Sequence, residues 1–195
     1  MVDIKIRLHM TVNSTQTLGP HARYGIWVQG CMKRCLGCVS PDSQPFDGGY
    51  DVSITDLAID ILATPNIEGV TISGGEPFMQ EIPLLELIAL IKAERNLGII
   101  IYTGMSYNEI KESKLAKASD MIIDGDYQEN LNDGLSLRGS ANQNIVLITS
   151  RYSDDINKYG TSGRRIELHF KNECVTMVGI PDKVTLNALK EKSDS

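Results

Sequence analysis

Three cysteines within eight residues constrain this chain more than any other feature. Cys31, Cys35 and Cys38 stand in Gly-Cys-Met-Lys-Arg-Cys-Leu-Gly-Cys, a C-x3-C-x2-C spacing. Thiolates this dense in a loop suit a soft metal. A cubane iron–sulfur cluster normally takes four cysteine ligands. Three close together, with no fourth nearby, would leave one iron open to a substrate or cofactor. Three thiolates and a water around zinc are the alternative. A disulfide framework is disfavoured, because the 195-residue chain has four cysteines and no signal peptide. Tyr24-Gly-Ile-Trp-Val-Gln29 reads as a strand feeding straight into Cys31. Parallel α/β proteins place their active sites at such strand ends.

The rest of the chain alternates strand and helix. Residues 2–12 form a first strand and 13–23 a polar loop. Residues 40–52 are turn-rich. Ser53-Ile-Thr-Asp56 starts a helix whose Ile54, Leu57, Ala58, Ile61 and Leu62 share one face. Strands follow at 69–73, 99–102 and 121–124. Between them lie a helix with Pro83 in its first turn and a third helix opened by the capping box Ser106-Tyr-Asn-Glu109. Such alternation implies parallel βαβ units. Residues 125–144 are irregular, 145–148 a strand and 152–163 a polar loop. Residues 164–170 and 174–180 pair as an antiparallel hairpin, and 182–195 are a polar tail. The expectation is a single domain over 1–195, with a core at about 13–150. A hydrophobic share of 42% and a net charge of −6 fit a globular chain with no nucleic-acid surface. No apolar run is long enough to span a membrane, and no signal-peptide core is present, so a cytoplasmic location is expected.

About forty residues after the cysteines comes Gly74-Gly75-Glu76-Pro77, at the exit of the strand 69–73. The two motifs together resemble the radical S-adenosylmethionine (SAM) superfamily. That resemblance implies a [4Fe–4S] cluster on Cys31, Cys35 and Cys38, with SAM chelating the fourth iron. The reduced cluster would cleave SAM to methionine and a 5′-deoxyadenosyl radical. The implied fold is a partial (β/α)6-type radical SAM barrel, open on one side, with a C-terminal β-hairpin. Further segments are similar to the anaerobic ribonucleotide reductase activating proteins. They are Arg23–Cys31, Thr71–Pro77, Ile101–Gly104, Ile123–Gly125 and Leu137–Gln143. This implies hydrogen abstraction from a glycine of a partner, the large subunit of an anaerobic reductase, with a flavodoxin- or ferredoxin-type electron donor. Val39 departs from an aromatic common in those activases, and Asp126 from a proline.

The candidate SAM contacts are Gly37, Cys38, Val39, Gly74, Gly75, Glu76, Thr103, Asp124 and Arg138. Gly37 permits close backbone approach. Gly74 and Gly75 would turn carbonyls to an ammonium group, and Glu76 would add a charge or only cap a turn. Thr103 and Asp124 end successive strands, although Asp124 also fits a plain Asp-Gly turn. Arg138, Asn142 and Gln143 form a hydrogen-bonding set that holds SAM, a substrate or only its own loop. Lys33 and Arg34 read as solvated, Tyr24 and Trp27 as core or shielding residues, and Cys174 as a buried strand thiol. His9, His21 and His169 show no ligand spacing. Two competing readings remain at this level. One is a compact radical SAM enzyme acting on another substrate, such as a ribosomal peptide, and the other a non-enzymatic iron–sulfur or zinc module.

Overall fold

The computed structural model describes residues 4–159, 162–171 and 174–181. The tail 182–195 and the side chain of Cys174 lie outside the described residues. Nine strands and five α-helices are described: β1 (Lys5–Thr15), β2 (Arg23–Val28), β3 (Tyr50–Ser53), α1 (Ile54–Ala63), β4 (Gly69–Gly74), α2 (Glu81–Glu94), β5 (Gly98–Tyr102), α3 (Tyr107–Ile110), α4 (Lys114–Ala118), β6 (Met121–Asp124), β7 (Asn144–Leu147), α5 (Ser153–Tyr159), β8 (Glu167–Lys171) and β9 (Cys174–Val178). Seven strands form one mixed sheet in the order β3-β1-β2-β4-β5-β6-β7, not closed into a barrel, and β8 pairs with β9 alone.

The centre of the sheet is parallel. β2, β4, β5 and β6 run in one direction, joined by crossovers through α1, α2 and α3–α4. Their continuous apolar runs are buried on both faces, as a parallel sheet requires. Alternate residues serve the two sides. Ile26, Val28, Val70, Ile72, Ile99, Ile101 and Ile122 pack with Leu57, Ile61, Leu84, Leu87, Ile88 and Ile91 of the helices. Ile100, Met121 and Ile123 face the other way, against Leu137 and Tyr152. That second face carries loops, the short α5 through Ile156 and Tyr159, and the hairpin instead of a full helical layer, which leaves room for a cavity.

Four expectations change, and the strand expected at 145–148 gains its direction. The strand expected at 2–12 runs to Thr15, because β1 follows β2 antiparallel through two register irregularities. The turn-rich 40–52 ends in β3, an edge strand paired with β1. β7 is antiparallel to β6, because 125–143 supply only a 3-10 turn at Glu129–Leu131 and no helical crossover. The polar loop at 152–163 contains α5. The third helix divides into α3 and α4, because the Ser113 side chain accepts from the amides of Leu115 and Ala116 and restarts it.

At the amino ends of the parallel strands lies a group with no local sequence signal. Arg23 is fully buried. Its guanidinium donates to Thr71 Oγ1 (2.7 Å), the carbonyls of Val70 (2.9 Å) and Gly98 (2.8 Å), Glu68 Oε2 (2.9 Å) and Tyr152 Oη (2.7 Å). It closes the end of the sheet opposite the cysteines.

Candidate active site

The cysteine loop leaves β2 and returns on itself. The amide of Gly30 donates to the Ser43 carbonyl (2.8 Å) and that of Cys31 to the Gln44 carbonyl (3.0 Å). The Gln29 side chain donates to the carbonyls of Asp42 and Pro45. Inside this closed loop the amide of Cys38 donates to the Cys35 carbonyl (3.2 Å). Gly37 has φ +71°, a left-handed turn, and a Cβ there would meet Glu129 Oε2 at 2.6 Å. Its role is to shape the turn before Cys38.

The exit of β4 is joined to this loop through the backbone. The amide of Gly75 donates to the Val28 carbonyl (2.7 Å), and that of Glu76 to the Gly30 carbonyl (2.9 Å). A Cβ on Gly75 would stand 2.2 Å from the Gly30 oxygen. The two motifs are therefore physically adjacent, and Gly75 is what lets them be.

Glu76 is buried. Its Oε1 accepts from Thr103 Oγ1 (2.7 Å) and the Phe78 amide (3.2 Å), and its Oε2 from the Gly104 amide (2.9 Å). Burial pushes its pKa up, against the pull of these three donors and the nearby Lys33 charge. Lys33 meets Asp126 at 3.3 Å across the loop. Burial works against the Lys33 charge, but Asp126 outweighs it and the pKa is raised. Burial also pushes the Cys35 thiol up, opposed by a hydrogen bond from the Tyr127 backbone.

A cavity of about 320 Å³ opens here. Cys31, Cys35, Cys38, Val39, Gly74, Gly75, Glu76, Thr103 and Arg138 line it, along with Trp27, Gly104, Gly125 and Gln143. Its size is that of a small-molecule site. Gly37 and Asp124 are not in its wall. The Asp124 carboxylate accepts from the Tyr107 amide and from both the amide and side chain of Asn144. Arg138 reaches the cavity but pairs with Asp133 (2.6 Å). Gln143 braces its loop through Gly139, Ser140 and Gly125, and Asn142 binds the Asp126 carbonyl. Trp27 shields the cavity while packing on Val12, Leu18 and Val178. Tyr24 is core, with its hydroxyl donating to Asp60.

Among the described residues, no three Cys, His, Asp or Glu side chains converge so as to hold a single metal ion. The three thiols instead share a cavity wall. A cubane cluster, whose cysteines bind different irons, asks for that arrangement. The soft donor set, the room beside it and the buried carboxylate facing that room all fit an iron–sulfur cluster with an amino-acid ligand.

The model of a family described as "4Fe-4S single cluster domain" matches residues 17–146. The chain belongs to this family. The match runs from the loop before β2 to β7 and so contains all three cysteines and the Gly74–Glu76 turn. Among curated proteins, the chain is 30% identical over 132 residues to an anaerobic ribonucleoside-triphosphate reductase-activating protein of Enterobacteria phage T4. That alignment covers 65% of this chain and 85% of the relative. Identity is 32% over 141 residues to the protein of the same name from Vibrio cholerae serotype O1, covering 67% and 91%. A pyruvate formate-lyase-activating enzyme of Staphylococcus epidermidis is 29% identical over 164 residues, covering 77% and 64%. At these levels the chain is also a member of the activating-protein family.

Reading the sequence missed three supports of the 4Fe-4S loop. Gln80 donates to the carbonyls of Arg7 and Gln29, Gln29 ties the loop back, and Gly104 offers its amide to Glu76. None carries a local signal. Gln80 follows the Gly-Gly-Glu-Pro turn closely, and that proximity is the one hint available.

Proposed function

We propose that this chain is a radical SAM activase that removes a hydrogen atom from a glycine of an anaerobic ribonucleoside-triphosphate reductase. The observation that carries the reading is the shared cavity. Three cysteines from the exit of β2 and Gly74-Gly75-Glu76 from the exit of β4 line it together. A reduced cluster held by Cys31, Cys35 and Cys38 would supply the electron for reductive cleavage of SAM, and with it the species that abstracts the glycine hydrogen.

The chain's own residues bind and orient. Cys31, Cys35 and Cys38 hold the cluster. Gly74 and Gly75 bring the backbone against the methionine end of SAM, and Glu76 holds its ammonium. Thr103 fixes the Glu76 carboxylate. Val39, Cys38 and Arg138 stand where they bound the remaining space. Gly37 shapes the cysteine loop through its backbone, and the Asp124 carboxylate anchors Tyr107 and Asn144. Trp27 and Met177, which line the cavity, exclude water.

The partial (β/α)6-type barrel reading takes β1 and β7 as the two outer staves around the four parallel strands. The single-domain reading rests on the burial of Val178 of the hairpin against Val12, Leu18 and Trp27. The partner is the glycyl-radical subunit of the reductase, and the donor is a flavodoxin- or ferredoxin-type protein. A cytoplasmic place, away from nucleic acid and membrane, agrees with the net charge of −6. No helix among the described residues is long and apolar enough to cross a membrane.

The test uses reductase carrying α-deuterated glycine. Deuterium in the 5′-deoxyadenosine, with a glycyl radical in the EPR spectrum, is expected. Deoxyadenosine formed without deuterium or radical would refute the proposed substrate.

A further inference from the structure

The family match stops at residue 146, and the hairpin β8–β9 lies wholly beyond it. One face of the hairpin is anchored. Val178 is fully buried against Val12, Leu18 and Trp27, and Glu167 Oε1 accepts from the Gln16 amide (2.9 Å). Just before the hairpin, Arg164 donates to the carbonyls of Leu135 (3.0 Å), Arg138 (2.9 Å) and Gly139 (2.6 Å). The segment thus spans from the β1–β2 loop to the loop after β6, along the side that the sheet leaves open.

The opposite face is apolar and, among the described residues, uncovered. Leu168, Phe170 and Val175 are 42%, 74% and 57% exposed. Phe170 pairs across the strands with Val175, and Leu168 with Met177, so all four side chains share one face. Half-buried antiparallel strands ordinarily turn polar residues to water. Here the apolar strip faces water at one end, and at the other reaches Met177, which lines the active-site cavity.

We propose that this strip is the docking surface for the glycine-bearing segment of the partner enzyme. The proposal rests on the functional reading above and names where that partner is gripped. Hydrogen abstraction needs atomic contact, so the partner's main chain has to enter the cavity past its wall, and the hairpin is part of that wall. A segment with apolar side chains beside its glycine seats them on Phe170, Val175 and Leu168, while the glycine passes Met177. Interfaces concentrate affinity in a few aromatic anchors, and Phe170 is the one aromatic on this strip.

The test compares the reconstituted chain with Phe170→Ser and Val175→Ser. Deoxyadenosine formed without partner should not change. The partner concentration giving half-maximal glycyl radical should rise about tenfold in each variant. Hydrogen exchange of the unaltered chain supplies a second reading, with slowed exchange across 167–178 expected when partner is added. Unchanged half-saturation in folded variants, or unchanged exchange, overturns the docking surface alone. If the unaltered chain makes deoxyadenosine but no radical on the reductase, the functional reading fails first and the docking proposal with it.

Discussion

Glu76→Gln separates a ligand for SAM from a turn cap. The carboxylate accepts three hydrogen bonds from a buried position, from Thr103 Oγ1, the Phe78 amide and the Gly104 amide. An amide must turn its NH2 towards one of the two backbone amides and leave that donor unpaired, which costs about 1–3 kcal/mol. Glutamine also carries no charge to desolvate, which offsets part of this loss and puts the net stability cost at about 1 kcal/mol. The effect on SAM is larger. A charge-assisted bond to the ammonium contributes about 1.5–3 kcal/mol, so the dissociation constant should rise about ten- to hundredfold. Equilibrium dialysis of SAM and urea denaturation measure the two effects on one preparation. The raised pKa of Glu76 adds a pH signature. SAM affinity should weaken as pH falls through that raised value, at less acid pH than for an exposed carboxylate, and the Gln variant should lack this limb. The sign for stability is opposite. A carboxyl with a raised folded pKa contributes fully below its unfolded pKa, and that contribution is lost as pH rises through the folded value. Unaltered SAM affinity with reduced stability would refute the ligand role and leave Glu76 a cap.

Gly75→Ala should force apart the exits of β2 and β4, since its Cβ would stand 2.2 Å from the Gly30 oxygen. SAM cleavage should be lost at a stability cost of about 1–3 kcal/mol. Gly163→Ala, with nothing within 4 Å of its Cβ, should leave both unchanged, and wild-type cleavage by Gly75→Ala would contradict the close approach. Arg23→Met should destabilise by about 3 kcal/mol or more in urea denaturation, because it strips the buried carbonyls of Val70 and Gly98 of a donor. Glu68 keeps Arg151 at 2.7 Å, which limits the loss, and a change below about 1 kcal/mol would contradict the role given to Arg23.

What the sequence made legible is what short-range chemistry writes. The cysteine spacing and the glycine turn are local, and 69–73, 99–102 and 121–124 appear as β4, β5 and β6 almost to the residue. Long-range pairing is less visible. The strand after Gln143 could be read, but its antiparallel direction depends on the lack of a crossover before it. β3 is four residues at a sheet edge with Tyr50 and Asp51 exposed, so no apolar pattern marks it. α5 buries none of its side chains and reads as a polar loop. Arg23 finds Glu68 and Tyr152 at sequence separations of 45 and 129, beyond any window. At the site, Thr103 and Asp124 look alike as strand-end polar residues. The Tyr107 amide after β5 and Asn144 at the start of β7 take up the Asp124 oxygens, whereas Thr103 turns to Glu76.

The most direct measurement is 5′-deoxyadenosine from anaerobically reconstituted, reduced chain mixed with SAM, beside a Cys35→Ala control. The expected result is deoxyadenosine from the unaltered chain and none from the control, with the control's iron–sulfur absorbance also lost. No deoxyadenosine from a chain with an intact cluster, with or without reductase present, would contradict radical SAM chemistry at these three cysteines.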